Sequence, residues 1–139
     1  MLCFPPRRQL VGTDIRRNRF LFIAGDAGDV HEIRRVLRAA PADVCGLVVI
    51  EVCNPVQTVH IDAPEGVGVR WLFRENSLGT LAPRGDGLVA AADAWLDEWM
   101  RADENPADEY VIWLGCRTSS RVNDFARTLE LELAGSASE

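Results

Sequence analysis

Phe20, Leu21, Phe22, Ile23 and Ala24 form an unbroken apolar run that stops at Gly25. A strand without polar alternation has no face to give to water, so it belongs in a sheet covered on both sides, as parallel sheets are. Residues 46–52 repeat the pattern with β-branched side chains at Val48, Val49, Ile50 and Val52. Residues 67–73 and 110–115 give two more strands. Residues 56–61, fenced by Pro55 and Pro64, read as either a short edge strand or an extended loop.

Between the strands the period changes from two to 3.6. Over residues 29–40, Val30, Ile33, Val36, Leu37 and Ala40 share one helical face, while Arg34, Arg35 and Arg38 fall mostly on the other. Pro41 lies just past that helix. Residues 87–101 form a second helix with an apolar stripe of Leu88, Ala92, Trp95, Leu96 and Trp99, and with Asp93, Asp97 and Glu98 toward water. An acidic loop spans 102–109. A last helix covers 120–133, with Val122, Phe125, Leu129 and Leu133 inward and Ser119 or Ser120 placed to cap it. Residues 135–139 are read as a frayed tail. The order β-α-β-β-α-β-α, without internal repeat, predicts an α/β domain of three layers, a parallel sheet between helices.

A chain of 139 residues is one domain and can bury about two thirds of its unfolded surface. No apolar stretch is long enough to cross a membrane. Two arginine pairs, Arg7-Arg8 and Arg16-Arg17, raise the question of an export signal, but Asp26 and Asp29 end the apolar run that follows the second. The expected location is cytoplasmic. Cys3, Cys45, Cys53 and Cys116 have no CxxC spacing and His31 and His60 stand apart, so neither a metal site nor a disulfide framework is expected. Cys45 and Cys53 read as small buried hydrophobes. The net charge of −6 divides unevenly: residues 1–19 carry five arginines and one aspartate, +4 in sum, which leaves −10 on the body. Such a body repels nucleic acid, and the basic arm has no interleaved aromatics. The arm is read either as a solvated leader lying on the acidic body or as a partner-binding segment. All 15 basic residues are arginine, for which no physical reason presents itself.

Ligands of parallel α/β sheets bind outside the carboxyl ends of the strands. That rule selects three loops. The first, residues 25–29, is a strand-to-helix turn of the kind that offers free N–H groups to a phosphate, but it carries Asp26 and Asp29. Asp29 suits the helix dipole and competes with any phosphate for the same position. It has neither a GxGxxG nor a P-loop pattern. In the second, Arg74 ends a strand, where it would serve bidentate recognition of phosphate or carboxylate, or a surface ion pair. The third, residues 115–121, has a helix start, hydroxyls at Thr118, Ser119 and Ser120, arginines at 117 and 121 and no acid, which makes it the best anion site by charge alone. The alternative is that its hydroxyls only cap the helix. Cys116 stands where a thiol pKa would fall, although no histidine base is near in sequence.

The segments Leu21–Asp26, Val69–Arg74 and Tyr110–Gly115, in this order and at these intervals, make the chain similar to the C-terminal domain of the siderophore-interacting proteins, flavin-dependent ferric-siderophore reductases. The resemblance covers about residues 20–134. It implies a Rossmann-like domain similar to the NAD(P)H-binding half of ferredoxin reductases, with Asp26, Arg74, Gly115, Cys116, Arg117, Ser119 and Arg121 as candidate cofactor-binding residues and no assigned catalytic residue. Under it, the arginines and Ser119 hold phosphate or ribose, and Gly115 lets the nicotinamide approach the backbone. Three departures stand out. The first loop lacks the family's Glu-Thr pair and proline, Cys116 replaces the glutamate that follows the last strand's glycine, and Phe73 stands where a histidine is common. The resemblance also implies that FAD sits on an N-terminal β-barrel that residues 1–19 are too few to form, so this chain alone would not hold it. Two functions are therefore carried forward. One is an NAD(P)H-binding component that works with a separate flavin-binding protein, or as a homo-oligomer. The other is a non-catalytic interaction or regulatory module that has lost its nucleotide site. Neither involves nucleic acid or a membrane.

Overall fold

The computed structural model describes residues 18–103, 105 and 107–137. It has strands β1 (Arg19–Asp26), β2 (Cys45–Val52), β3 (Val67–Phe73) and β4 (Glu109–Leu114), and helices α1 (Val30–Ala39), α2 (Asp86–Trp95) and α3 (Ser120–Ala137). The strands form one sheet in the order β3-β2-β1-β4, and every neighbouring pair is parallel. The α/β, parallel-sheet reading of the sequence is the observed fold. Arg7, Arg8, Arg16 and Arg17 of the basic arm lie outside the described residues, whereas Arg19 already belongs to β1.

The topology dictates where the helices go. The step from β1 to β2 moves one way along the sheet, and the step from β3 to β4 moves back past both. Crossovers between parallel strands are right-handed, so the two connecting helices must fall on opposite faces. The packing obeys this. Leu21 and Ile23 of β1 join Ile33 and Leu37 of α1 on one face. Phe20, Phe22 and Ala24 join Leu88, Ala92 and Trp95 of α2 and Val122 and Leu129 of α3 on the other. Both sides of β1 are dry, and each fully buried side chain such as Phe22 or Ile23 contributes about 1.5–3 kcal/mol. Aromatic pairs add direction: Phe20 stacks on Tyr110 of β4 at 5.0 Å and Phe22 meets Trp95 of α2 at 5.2 Å.

Of the two readings of residues 56–61 the loop is the one found: a 3-10 turn at Pro55–Gln57, capped by the Asn54 side chain, leads into an extended loop that buries Ile61 against the α1 layer. Other local expectations are corrected. After α2 the helix widens into a π turn at Leu96–Met100, and Arg101 behind it donates to Asp93, Asp97 and Glu132, which ties α2 to α3. Asp93 and Asp97 do face water, as expected, and pair with Arg101 there. The last helix continues to Ala137, because nothing but Gly135 opposes it and one glycine costs only about 1 kcal/mol. It outruns the sheet, so Leu133, expected inside, is 40% exposed. Cys45, read as a small buried hydrophobe, takes part in a disulfide, while Cys53 and Cys116 are free. Cys53 is only half-buried. Spacing along the chain does not report which cysteines meet in space. No helix among the described residues is long and apolar enough to cross a membrane.

At the amino end of the sheet, Asn18 fastens the entry of β1 to that of β4. Its side chain donates to Asp108 Oδ1 at 3.0 Å, and its carbonyl accepts from Glu109 N at 2.7 Å. The Tyr110 hydroxyl lies against the Asp103 carboxylate. Burial and the neighbouring Asp103 push the Asp108 carboxyl up to about 6, and its Oδ2 is buried with no hydrogen-bond partner among the described residues. The folded state therefore takes up this proton before the unfolded state does. Stability is expected to rise as pH falls from about 6 toward the ordinary value of 3.8, and urea midpoints of Asp108→Asn should lose that increment. A second test concerns close strand approach. A Cβ on Gly46 would stand 1.8 Å from the Leu21 carbonyl oxygen. Gly46→Ala should therefore lower unfolding stability by at least about 1–3 kcal/mol, read from the same denaturation curves.

Candidate functional site

All three helices start at the carboxyl edge of the sheet, so their unpaired N–H groups converge there. β1 ends in Gly25-Asp26, and a 3-10 turn at Ala27–Asp29 leads into α1. A reciprocal capping arrangement holds this turn: Asp26 Oδ1 accepts from Gly28 N at 3.0 Å, and Asp29 Oδ2 accepts from Asp26 N at 2.9 Å. The same Asp29 oxygen accepts from Cys116 N, beyond β4, at 2.6 Å. Glycines on both strands leave room for it. A Cβ on Gly25 would stand 2.9 Å from Asp29 Cβ, and one on Gly115 would stand 2.5 Å from Asp29 Oδ2.

Side chains of the protein also accept N–H bonds at the other two helix starts. Glu51, at the end of β2 and only 4% exposed, accepts from Gly85 N at 2.9 Å just before α2. Gly85 has φ 87°, a left-handed conformation that glycine alone adopts without strain. Ser119 is buried; its Oγ accepts from Val122 N, and its hydroxyl donates to the Arg84 carbonyl. Ser119 thus caps α3, and its hydroxyl is used internally.

Arg84 bridges these parts. Its Nη2 donates to Asp26 Oδ2 at 2.9 Å and to Thr118 Oγ1 at 2.7 Å, and lies 3.8 Å from Cys116 Sγ. Beside it a cleft of about 150 Å³ is lined by Asp26, Gly28, Glu51, Gln57, Arg74 and Arg84. Arg74 turns its Nε to the Ala82 carbonyl at 2.9 Å. The remaining candidates from the third loop do not line this cleft. Arg117 donates to Asn123 Oδ1, and Arg121 pairs with Asp86 at 3.5 Å, both side chains of that pair being about half exposed.

Charge follows this geometry. Burial raises the Asp29 carboxyl above 3.8, and the adjacent Asp26 charge adds to the rise. Burial also works to raise Asp26, but its hydrogen bonds with Asp29 and Arg84 outweigh that and hold it below 3.8. The pair thus divides the titration, with Asp26 the stable anion that faces Arg84. Cys116 has φ 56°, a left-handed residue that carries a side chain, and its thiol is 2% exposed. Burial, with the Asp26 charge behind it, pushes that thiol up to about 11 despite Arg84. The arginines and helix start that sequence reading set beside Cys116 as activators are outweighed.

The structure therefore brings Asp26 and Arg74 to one cleft and sets Gly115 and Cys116 against Asp29. It leaves Ser119 as a cap and turns Arg117 and Arg121 elsewhere. Sequence reading missed Arg84 and Glu51. The signal for Glu51 was present as a lone carboxylate inside an apolar strand. Arg84 had none, because it comes from a long irregular loop. Thiol labelling tests the Cys116 environment: in the folded protein at about pH 8, iodoacetamide should modify Cys53 well before Cys116, since only thiolate reacts.

Comparison with known proteins gives a consistent set. The family model described as siderophore-interacting protein matches residues 17–134. Uncharacterized proteins of Mycobacterium tuberculosis and Mycobacterium bovis are each 32% identical over 82 residues, covering 53% of this chain and 28% of the relative. A siderophore utilization protein from T. fusca, a solved structure, superposes with a TM-score of 0.56 at 21% identity, over 86% of this chain and 41% of that one. The chain thus spans under a third of the length of these curated relatives and under half of that solved chain.

Proposed function

Because the chain belongs to the siderophore-interacting protein family, we propose that it serves the nucleotide side of a flavin-dependent ferric-siderophore reductase system, receiving a phosphate of NAD(P)H in the cleft at its strand ends. One observation carries this reading: Arg74 and Arg84 converge on a single cleft at the carboxyl edge of a parallel sheet. Arg74 uses Nε on Ala82, which leaves the two terminal amino groups of its planar fork for a phosphate. Arg84 would exchange Asp26 for the same ligand. The fit is partial. The arginine pair suits one phosphate, whereas the β1–α1 turn does not suit a pyrophosphate, because Asp29 and Asp26 already hold its N–H groups. A cleft of about 150 Å³ is also below the range of about 300–1,000 Å³ typical of whole-ligand pockets, so it would grip one end of a dinucleotide. When bound, NAD(P)H supplies hydride to a flavin held outside this chain's described residues, and the flavin reduces Fe(III). The residues described here bind and orient. The flavin would sit on a separate protein, another domain or a second copy, and use of NAD(P)H implies a cytoplasmic location.

A second reading, a non-catalytic interaction or regulatory module, draws on the same edge: near each helix start there a side chain of the protein already accepts an N–H bond. Calorimetry with NADPH and NADH at low salt separates the two. The first reading expects micromolar to low millimolar binding, weakened by about 1.5–3 kcal/mol in Arg74→Ala and unchanged in Arg121→Ala, whose side chain pairs with Asp86 outside the cleft. No heat with either nucleotide would favour the interaction module.

A further inference from the structure

The sheet order places the topological switch point between β1 and β4, since the chain leaves β1 toward β2 on one side and returns to β4 on the other. In open α/β sheets the crevice outside the strand ends at this point is where ligands enter. Here that crevice has an occupant. Asp29 Oδ2 lies between the two strand ends and accepts N–H bonds from both, at 2.9 Å from Asp26 N and 2.6 Å from Cys116 N. Gly25 and Gly115, whose missing side chains make the space, both face this carboxylate. Cys116 is held at φ 56°, which is the turn that aims its N–H inward. A phosphate oxygen would need these same donors in this same space.

We infer that Asp29 is a built-in occupant of the switch-point crevice, a carboxyl group of the chain itself that excludes phosphate from the β1–β4 strand ends and thereby determines which ligands this edge can accept. Ligands that require a diphosphate at the turn are refused. Ligands whose phosphate reaches only the Arg74 and Arg84 side are not. The inference goes beyond the NAD(P)H reading and stands without it, because it concerns the backbone N–H groups that Asp29 holds, not the arginine side chains proposed to grip a phosphate.

The test follows the backbone amide of Cys116, which Asp29 holds and which does not line the arginine cleft, by two-dimensional NMR while sodium pyrophosphate is titrated at low salt. In the wild-type protein this amide is expected not to respond. In Asp29→Ala it should shift saturably, with affinity for pyrophosphate at least about ten-fold above wild type, as for the loss of one competing charge-assisted bond. Asp29→Asn, which keeps an acceptor oxygen without the charge, should fall between. A wild-type protein whose Cys116 amide shifts as strongly as the variant's would overturn the proposal, as would a folded Asp29→Ala that binds no better. If neither variant folds, the wild type decides. A saturable shift at Cys116 sinks the idea, whereas an unmoved amide that does follow the Asp29 carboxyl as it titrates sustains it. Because pyrophosphate carries neither nicotinamide nor adenine, failure here is distinct from failure of NAD(P)H to bind at Arg74.

Discussion

The rest of the structure depends on burying β1 from all sides at once. It is paired with β2 on one edge and β4 on the other, covered by α1 on one face and by α2 and α3 on the opposite face. A strand in this position has no polar side chain to spare, and Phe20 to Ala24 supply none. Once it is central, right-handed crossovers leave one choice for the face of each helix. The helix starts are then forced together at one edge, where their N–H groups must find partners.

How those partners are supplied distinguishes this chain from an open nucleotide cradle. Asp26 and Asp29 serve the start of α1, Asp29 also reaches across to the chain after β4, Glu51 serves the start of α2 and Ser119 that of α3. The negative charge gathered this way is countered by Arg84, which binds Asp26 and Thr118. What is left over is cationic and lies to one side, at Arg74. Among the described residues, much of the edge is thus taken up by the protein's own groups, while the terminal amino groups of Arg74 are not used by the Ala82 bond. This arrangement also accounts for the thiol of Cys116. A helix start and arginines would lower its pKa in water, but at 2% exposure, with an aspartate beside it, burial wins.

Much of this was legible in the residues. The continuous apolar runs gave away the buried parallel strands, and the apolar stripe over residues 29–40 announced α1 with Ile33 and Leu37 inward. Asp29 could be read as a competitor for phosphate because its place in the first helical turn is local. Other features were not legible. The third loop looked like the best anion site because its sequence contains no acid, yet Asp29, 87 positions earlier, supplies one to Cys116. Nor could the sequence report that Arg121 pairs with Asp86 of another helix. Each of these partners is distant in sequence.

The sequence by itself determined the class of fold, the alternation of strand and helix, and the edge of the sheet at which a site must lie, because those follow from periodicity and from chain direction, which are local. Only the tertiary structure decided which charges at that edge neutralise one another. Pairing energies fall off over a few ångströms, so they are set by which strand ends become neighbours, and the placing of β4 beside β1 is a property of the folded sheet that no stretch of either strand contains.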